Sequence, residues 1–470
     1  MEHLRSLAPA LPGFEGWSEQ DGTRALVFIG SVALALVSTL AILYLPFIFS
    51  LALPVALIAT MIVLRYPVFS LIGIFFGRIT IDLMWFVPAG LGLNFMEAFT
   101  GGITVLLILM CMQRIQGVLD HPFFPFVTLW VALLLVGAAQ QPEARVVAEL
   151  LARFGSPMMI MLLFSIHFRT HESRRKLFIW VGLGGILPIV LGLFYWATGQ
   201  AANMQLSGYD RLAGGYSNIA DHGQSMATFA MIGLMWIWHH KASWKSAAIL
   251  GYTCLAVLLL LLTYARTPLI GFAAFVFVFL ALHRNRSLLL VAGAVLVLIL
   301  ATNSTAQDRF SDFTDFFTVD AGYQVDRLGS GRLGIWRRSF EAFFSQPFLQ
   351  ILLGNGLNSQ YLLSDGQDSH NDYISLMLQV GPIGLALWAG FQIDATRRAY
   401  QELAYAYAPW TRTLLIMILG LSACVVVSNT FSNVYVSRVT PSWYWFGMMG
   451  VVFAIQAERR AREPEGAVAA

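Results

Sequence analysis

Charge is scarce in this chain: only 12 % of its 470 residues are Asp, Glu, Lys or Arg. Lysine is almost missing, with Lys176, Lys241 and Lys245 the only examples. The formal net charge of +3 is too small to point to nucleic acid. Cysteine is equally sparse. Cys111, Cys254 and Cys424 each sit inside an apolar run without metal-like spacing, and they read as small buried hydrophobes. A cleavable leader is not expected, because the first 24 residues are polar and mixed in charge, with no basic end before a short apolar core. The two halves show no internal repeat and no Gly/Pro-broken spans in matching positions, which argues against a secondary transporter.

What is abundant is apolar surface. With 57 % apolar residues and a mean hydropathy of +0.68, the chain exceeds what a soluble fold could hide, so an all-α, polytopic membrane protein is expected. Runs of roughly 17 to 25 apolar residues can cross about 30 Å of hydrocarbon. They fall at 25–44, 46–64, 67–86, 96–113, 123–141, 150–168, 177–197, 223–240, 246–264, 267–283, 287–302, 371–391, 412–429 and 442–457. This predicts 14 helices, with 12 to 14 as the range. With the N-terminus inside, 18 of the 29 basic residues lie in inner connections, as the excess of positive charge on cytoplasmic loops requires. The expected organisation is a cytoplasmic segment 1–24, spans 1–11 over 25–302, a long outer loop 303–369, spans 12–14 over 370–457, and a cytoplasmic tail 458–470.

The outer side then keeps only arginine: Arg145, Arg153, Arg211, Arg266, Arg309, Arg327, Arg332, Arg337, Arg338 and Arg438. A guanidinium stays charged and grips two oxygens in one plane, so these residues point to an anionic ligand outside the membrane. The plain alternative is pairing within the loop, with Asp308, Asp312, Asp315, Asp320 and Asp326 close to Arg309 and Arg327. The long loop carries helical signals. Leu333, Trp336, Phe340 and Phe343 share one face of a helix expected to lie on the membrane surface, Pro347 stops it, and Gly354-Asn355-Gly356 makes a tight turn.

Only His222 and His370 face outward in this topology. His370 reads either as a residue capping the next helix or as a general base, a role that suits an imidazole because it titrates near neutrality. Asn371 and Asp372 stand ready to orient it, which favours the base. His222 reads as structural or supporting. Arg211 sits among the glycines of GYDRLAGGYSN, Arg266 at a junction of two spans, and Arg332 opens the surface helix with Arg337 just beyond. Each is a candidate phosphate contact and each has a structural alternative. Arg78 and Asp82, at i and i+4, are expected to neutralise each other within a span.

The run Arg332-Leu333-Gly334-Ile335-Trp336, then Gln346-Pro347, Gly354-Asn355-Gly356, His370-Asn371-Asp372-Tyr373 and Gln379-Val380-Gly381-Pro382-Ile383-Gly384 resembles the O-antigen ligase and Wzy-type polymerase superfamily. Arg211-Leu212-Ala213-Gly214 and Ala265-Arg266-Thr267 add support upstream. An Asn-Pro-Asn element often found after the first arginine is absent; Tyr216-Ser217-Asn218-Ile219 stands there. The resemblance implies a GT-C-like membrane glycosyltransferase of the bacterial inner membrane, periplasmic in its active site and independent of metal and cofactor. It implies inversion, with an undecaprenyl-pyrophosphate glycan as donor and a second glycan or lipid A core as acceptor. Membrane lipids and a chain-length regulator are the other partners it brings. On the matching positions His370 becomes the catalytic residue, Arg211, Arg266 and Arg332 the pyrophosphate contacts, and Asn371, Asp372, Arg337 and His222 their support. The span count leans toward a polymerase, with a ligase as the alternative and a lipid-linked oligosaccharide flippase as the reading from another class.

Overall fold

The computed structural model describes residues 60–84, 86–90, 93–140, 151–199, 205–206, 209–239, 243–285, 332–356, 369–406, 408–435 and 438–462, with isolated positions at 287, 359, 363 and 366. The expected span 25–44, nearly all of 46–64 and of 287–302, the stretch 303–331 with Arg309 and Arg327, and Arg145 lie outside the described residues. The chain divides into a unit Met1–Tyr66 and a unit Pro67–Ala470. Of the first, only a helical end at 60–66 is described, where Tyr66 donates its backbone N–H to Ile62.

The second unit is helical. Its principal helices are α1 (Pro67–Ile81), α2 (Phe95–Gln113), α3 (Phe124–Ala139), α4 (Ser156–His167), α5 (His171–Gly184), α6 (Ile186–Ala197), α7 (Ile219–His239), α8 (Trp244–Leu262), α9 (Arg266–Leu282), α10 (Arg332–Phe344), α11 (Phe348–Leu353), α12 (Asp372–Ala404), α13 (Pro409–Phe431) and α14 (Val439–Arg462). Two antiparallel ladders of two or three residues, Pro88–Gly90 with Leu93–Asn94 and Gln205–Leu206 with Tyr209–Asp210, are the only extended pairings among the described residues. The all-α class therefore holds. Six helical stretches here are long and apolar enough to cross a membrane: Pro67–Met84, Met96–Gln113, His171–Ala197, Trp244–Leu262, Asp372–Ala404 and Pro409–Phe431. Phe124–Ala139 and Arg266–Leu282 are shorter apolar helices. The protein is a multi-pass membrane protein.

Lipid is as apolar as the helix faces, so helices in it associate by close packing of small residues rather than by burying surface from water. Gly271 lies against Ser428 and Cys424, Gly420 against Phe275, and Thr267 against Phe431, which sets α9 and α13 antiparallel. Gly450 of α14 lies on the carbonyl of Met161, and Trp443 Nε1 donates to Ser156 Oγ at 2.7 Å, so α14 and α4 run in parallel. The expected pair of Arg78 and Asp82 forms at 3.0 Å. Thr440 ties it to α14, accepting from Arg78 Nε at 2.7 Å and donating to Asp82 at 2.6 Å.

Two features differ from expectation. α12 runs for 33 residues but breaks at Gly381, whose φ of 68° and ψ of 178° only glycine tolerates readily. Pro382 has no N–H to offer Leu378, and the break frees the carbonyl of Gln379 as well. The Gly-Asn-Gly turn supplies the missing donors: Asn355 N bonds Leu378 O at 2.9 Å and Gly356 N bonds Gln379 O at 3.1 Å. Two of the family-like motifs thus serve as lock and key for one broken helix. The second difference concerns α10. Its apolar stripe does not look only to lipid, because Phe343 packs with Ile374 and Leu378 of α12, joined by Trp336 and Phe340. Amphipathicity alone could not separate a protein partner from a membrane surface.

Candidate functional site

Three helices begin at candidate residues. Arg266 is the first residue of α9, Arg332 the first of α10, and His370 lies two positions before the start of α12. A helix N-terminus presents unpaired N–H groups and the positive end of the macrodipole, so it receives anions and repels cations. Arginine at the first helical position is therefore unfavourable for the helix itself. An anion at that position would meet both the guanidinium and the free N–H groups.

The three N-termini converge on the opposite pole of another helix. Phe431 O, at the end of α13, accepts from Arg332 Nη1 at 2.6 Å and from Thr267 Oγ1 at 3.3 Å. Thr430 O accepts from Asn371 Nδ2 at 2.9 Å. Negative partial charge at a helix C-terminus suits a cation such as Arg332. Arg211 joins from the α6–α7 connection: its Nε donates to Thr263 O at 3.1 Å and its Nη2 to Tyr264 O at 3.4 Å. Leu212 N bonds Leu262 O at 3.3 Å, so the Arg211 loop is laced to the turn that leads into Arg266.

His370 is set apart by exposure. Ser369, Asn371 and Asp372 are buried around it while His370 itself is exposed. Asn371 caps α12, its Oδ1 accepting from Tyr373 N at 2.9 Å and Ile374 N at 3.0 Å. Asp372 Oδ2 accepts from Val434 N at 2.7 Å, and Trp336 Nε1 of α10 donates to Ser369 O at 2.6 Å. The chain is thus fastened on both sides of the histidine, at Ser369 by α10 and at Asn371 and Asp372 by α13 and the α13–α14 connection. His370 has φ 50° and Tyr264 φ 48°. Left-handed backbone is uncommon outside glycine and gathers at functional sites, where surrounding contacts hold it at a cost of about 1–3 kcal/mol. Tyr264 lies two residues before Arg266 and accepts from Arg211, and His370 leads into α12; Arg284, after the far end of α9, shares the conformation.

The supporting candidates divide. His222 is wholly buried, and Gly214 and Gly192 pack on its ring; a Cβ at Gly214 would collide with the imidazole. It underpins the Arg211 loop. Arg337 is exposed and lies 3.9 Å from Glu341 one turn along α10. Arg438, held by Asp221 and by Asn433 O at 2.9 Å, braces the connection that receives Asp372. Among the described residues no group of three or more His, Cys, Asp or Glu is placed to hold a metal ion. The residues missed by sequence reasoning are Thr430 and Phe431, because what they contribute is main-chain oxygen.

No curated protein matches the chain. A family profile described as O-Antigen ligase matches residues 251–389. That interval takes in α8 from residue 251, α9, the long connection with α10 and α11, and the first half of α12, and so it holds Arg266, Arg332, His370, Asn371 and Asp372; Arg211 and the receiving turn of α13 lie beyond it. The match supports a membrane protein of O-antigen ligase or polymerase type with a lipid-linked glycan donor. Over residues 251–389, therefore, the chain is similar to the O-antigen ligase family.

Proposed function

We propose that the protein transfers a glycan from undecaprenyl pyrophosphate to an acceptor hydroxyl, at the periplasmic end of a bundle of about fourteen spans with both termini in the cytoplasm of a bacterium. The observation that carries this reading is the meeting of three helix N-termini, bearing Arg266, Arg332 and His370, on the last two carbonyls of α13.

His370 accepts the proton of the acceptor hydroxyl. The hydroxyl oxygen attacks the anomeric carbon on the face opposite the pyrophosphate, the bond from that carbon to the bridging oxygen breaks, and its electron pair stays on the leaving pyrophosphate. Configuration inverts. Arg211, Arg266 and Arg332 stabilise the charge growing on that oxygen, which lowers the barrier because the interaction strengthens toward the transition state. Arginines held by helix ends supply the positive charge, so the step needs no metal ion. Asn371 and Asp372 hold the backbone that presents the imidazole.

The product we favour is a lengthened O-antigen or exopolysaccharide repeat, a polymerase reaction in keeping with the number of apolar runs. Ligation to lipid A core is the second reading, favoured by the description of the matching family. Purified protein in proteoliposomes, given a defined undecaprenyl-pyrophosphate oligosaccharide with and without lipid A core, tests both by mass analysis of the product. Longer lipid-linked glycan identifies the polymerase and core-linked glycan the ligase. Translocated donor with no new glycosidic bond would overturn the enzyme and leave the flippase.

A further inference from the structure

The helices that open at Arg266, Arg332 and Asn371 come from separate parts of the sequence, and the C-terminal turn of α13 is what they share. The last carbonyls of a helix have no partner within it. In α13 two of them are satisfied by side chains from other helices: Thr430 O by Asn371, and Phe431 O by Arg332 and Thr267 together. A carbonyl oxygen has two lone pairs and can accept both donors. Thr267 is buried and follows Arg266 directly; Asn371 is buried and follows His370 directly. Each residue therefore carries the backbone of a candidate group to the same fixed point.

We infer that the C-terminal turn of α13 is a template that sets the mutual placement of His370, Arg332 and Arg266, with Thr267 and Asn371 as positioning residues. Asn371 uses its amide twice. Its oxygen caps α12 through Tyr373 N and Ile374 N, while its nitrogen reaches Thr430 O. These tasks are separable. In N371D the carboxylate still caps the helix but has no N–H for Thr430 O and repels that oxygen. Thr267→Val keeps the shape and loses the donor to Phe431 O; Thr267→Ser keeps the donor. Arg332 continues to hold Phe431 O in all three variants.

The kinetic part of this inference rests on the glycosyl-transfer reading, so a second measurement is made without it. In the full-length protein purified in detergent, His370 is exposed, and its modification by diethyl pyrocarbonate can be followed by mass spectrometry. A template predicts that T267V, on a different helix, changes the labelling rate of His370 on the order of threefold, the effect of a lost hydrogen bond. N371D does the same and T267S does not. In the transfer assay, T267V and N371D lower kcat about tenfold, as small misplacement of reacting groups does, with KM for the lipid-linked donor little changed and T267S restored. Wild-type labelling and wild-type kcat in T267V would overturn the template, as would a loss of thermal stability in T267V with kcat per folded molecule intact. Should N371D not accumulate, the T267V and T267S pair decides alone. A wild-type protein that forms no glycosidic bond overturns the transfer reading, and the labelling comparison then decides the template by itself.

Discussion

At the end of the bundle where α5 begins and α14 finishes, arginines meet carboxylates. Arg174, buried to 1 % exposure, pairs with Glu458 at 2.6 Å and, like Arg438 at the other end, also donates to main-chain oxygen, here of Phe168 and Arg169; Arg459 pairs with Glu402 at 3.0 Å and lies over Tyr405; Arg398 pairs with Asp394 at 2.7 Å and lies over Phe123. At the other end, Arg211 and Arg332 rest on main-chain carbonyls at helix termini, and Arg438 uses both a carbonyl and a carboxylate. A carboxylate on a side chain cancels charge and moves with its rotamers. A carbonyl at the end of a packed helix has only partial charge and a fixed position, so it orients a guanidinium while the helix keeps its place. The first arrangement suits the fastening of helix ends. The second suits a group that must be aimed at something else.

Substitutions at each end can break this contrast. The largest effect is expected from His370→Ala, which should keep the protein folded in the membrane and reduce glycan transfer by about 10²–10⁴-fold, the usual contribution of a general base; wild-type polymer levels would remove His370 from the mechanism. Next, Arg332→Lys keeps the charge but loses the planar fork, and activity should fall on the order of tenfold or more, whereas Arg459→Lys should stay within about twofold of wild type. Equal losses in the two would erase the distinction between the ends. Arg211→Ala should likewise impair transfer, measured as glycan moved in vesicles, far more than Arg309→Ala. Glu402→Gln removes the partner of Arg459 and should cost about 1–2 kcal/mol of stability, read as earlier thermal unfolding in detergent, with kcat per folded molecule intact.

The smallest effect concerns pH at the fastening end. Burial first, then Arg398 and Arg169, push the His121 imidazole down from 6.5 to about 4. The folded protein holds this ring neutral where the unfolded chain would protonate it, so the stability it contributes is present above about 6.5 and is lost as the pH falls toward 4. His121→Phe should flatten the dependence of the thermal midpoint on pH across that window.

Much of this was legible in the residues. The i, i+4 spacing of Arg78 and Asp82 is a pair, and Pro347 ends the helix that Leu333, Trp336, Phe340 and Phe343 announce, whereas the cap at Asn371 and the short helix Phe348–Leu353 came only with the structure. Arginine kept where topology disfavours it pointed to the loops that the structure ties to the ends of α8 and α13. The bond partners were not legible. Glu458 lies far along the chain from Arg174, and Val434 from Asp372, and no spacing rule joins them. Likewise, the stripe of α10 gave a helix without telling whether protein or lipid covers it.

By itself the sequence determined which side chains can carry charge, cap a helix or break one, since these depend on residue type and near neighbours. Helices of one apolar period can pack in many orders, so only the tertiary structure decided that α9, α10 and α12 open onto one turn of α13. The acceptors on that turn are peptide oxygens, which every residue possesses. Their importance comes from where the helix ends, and no letter of the sequence records it.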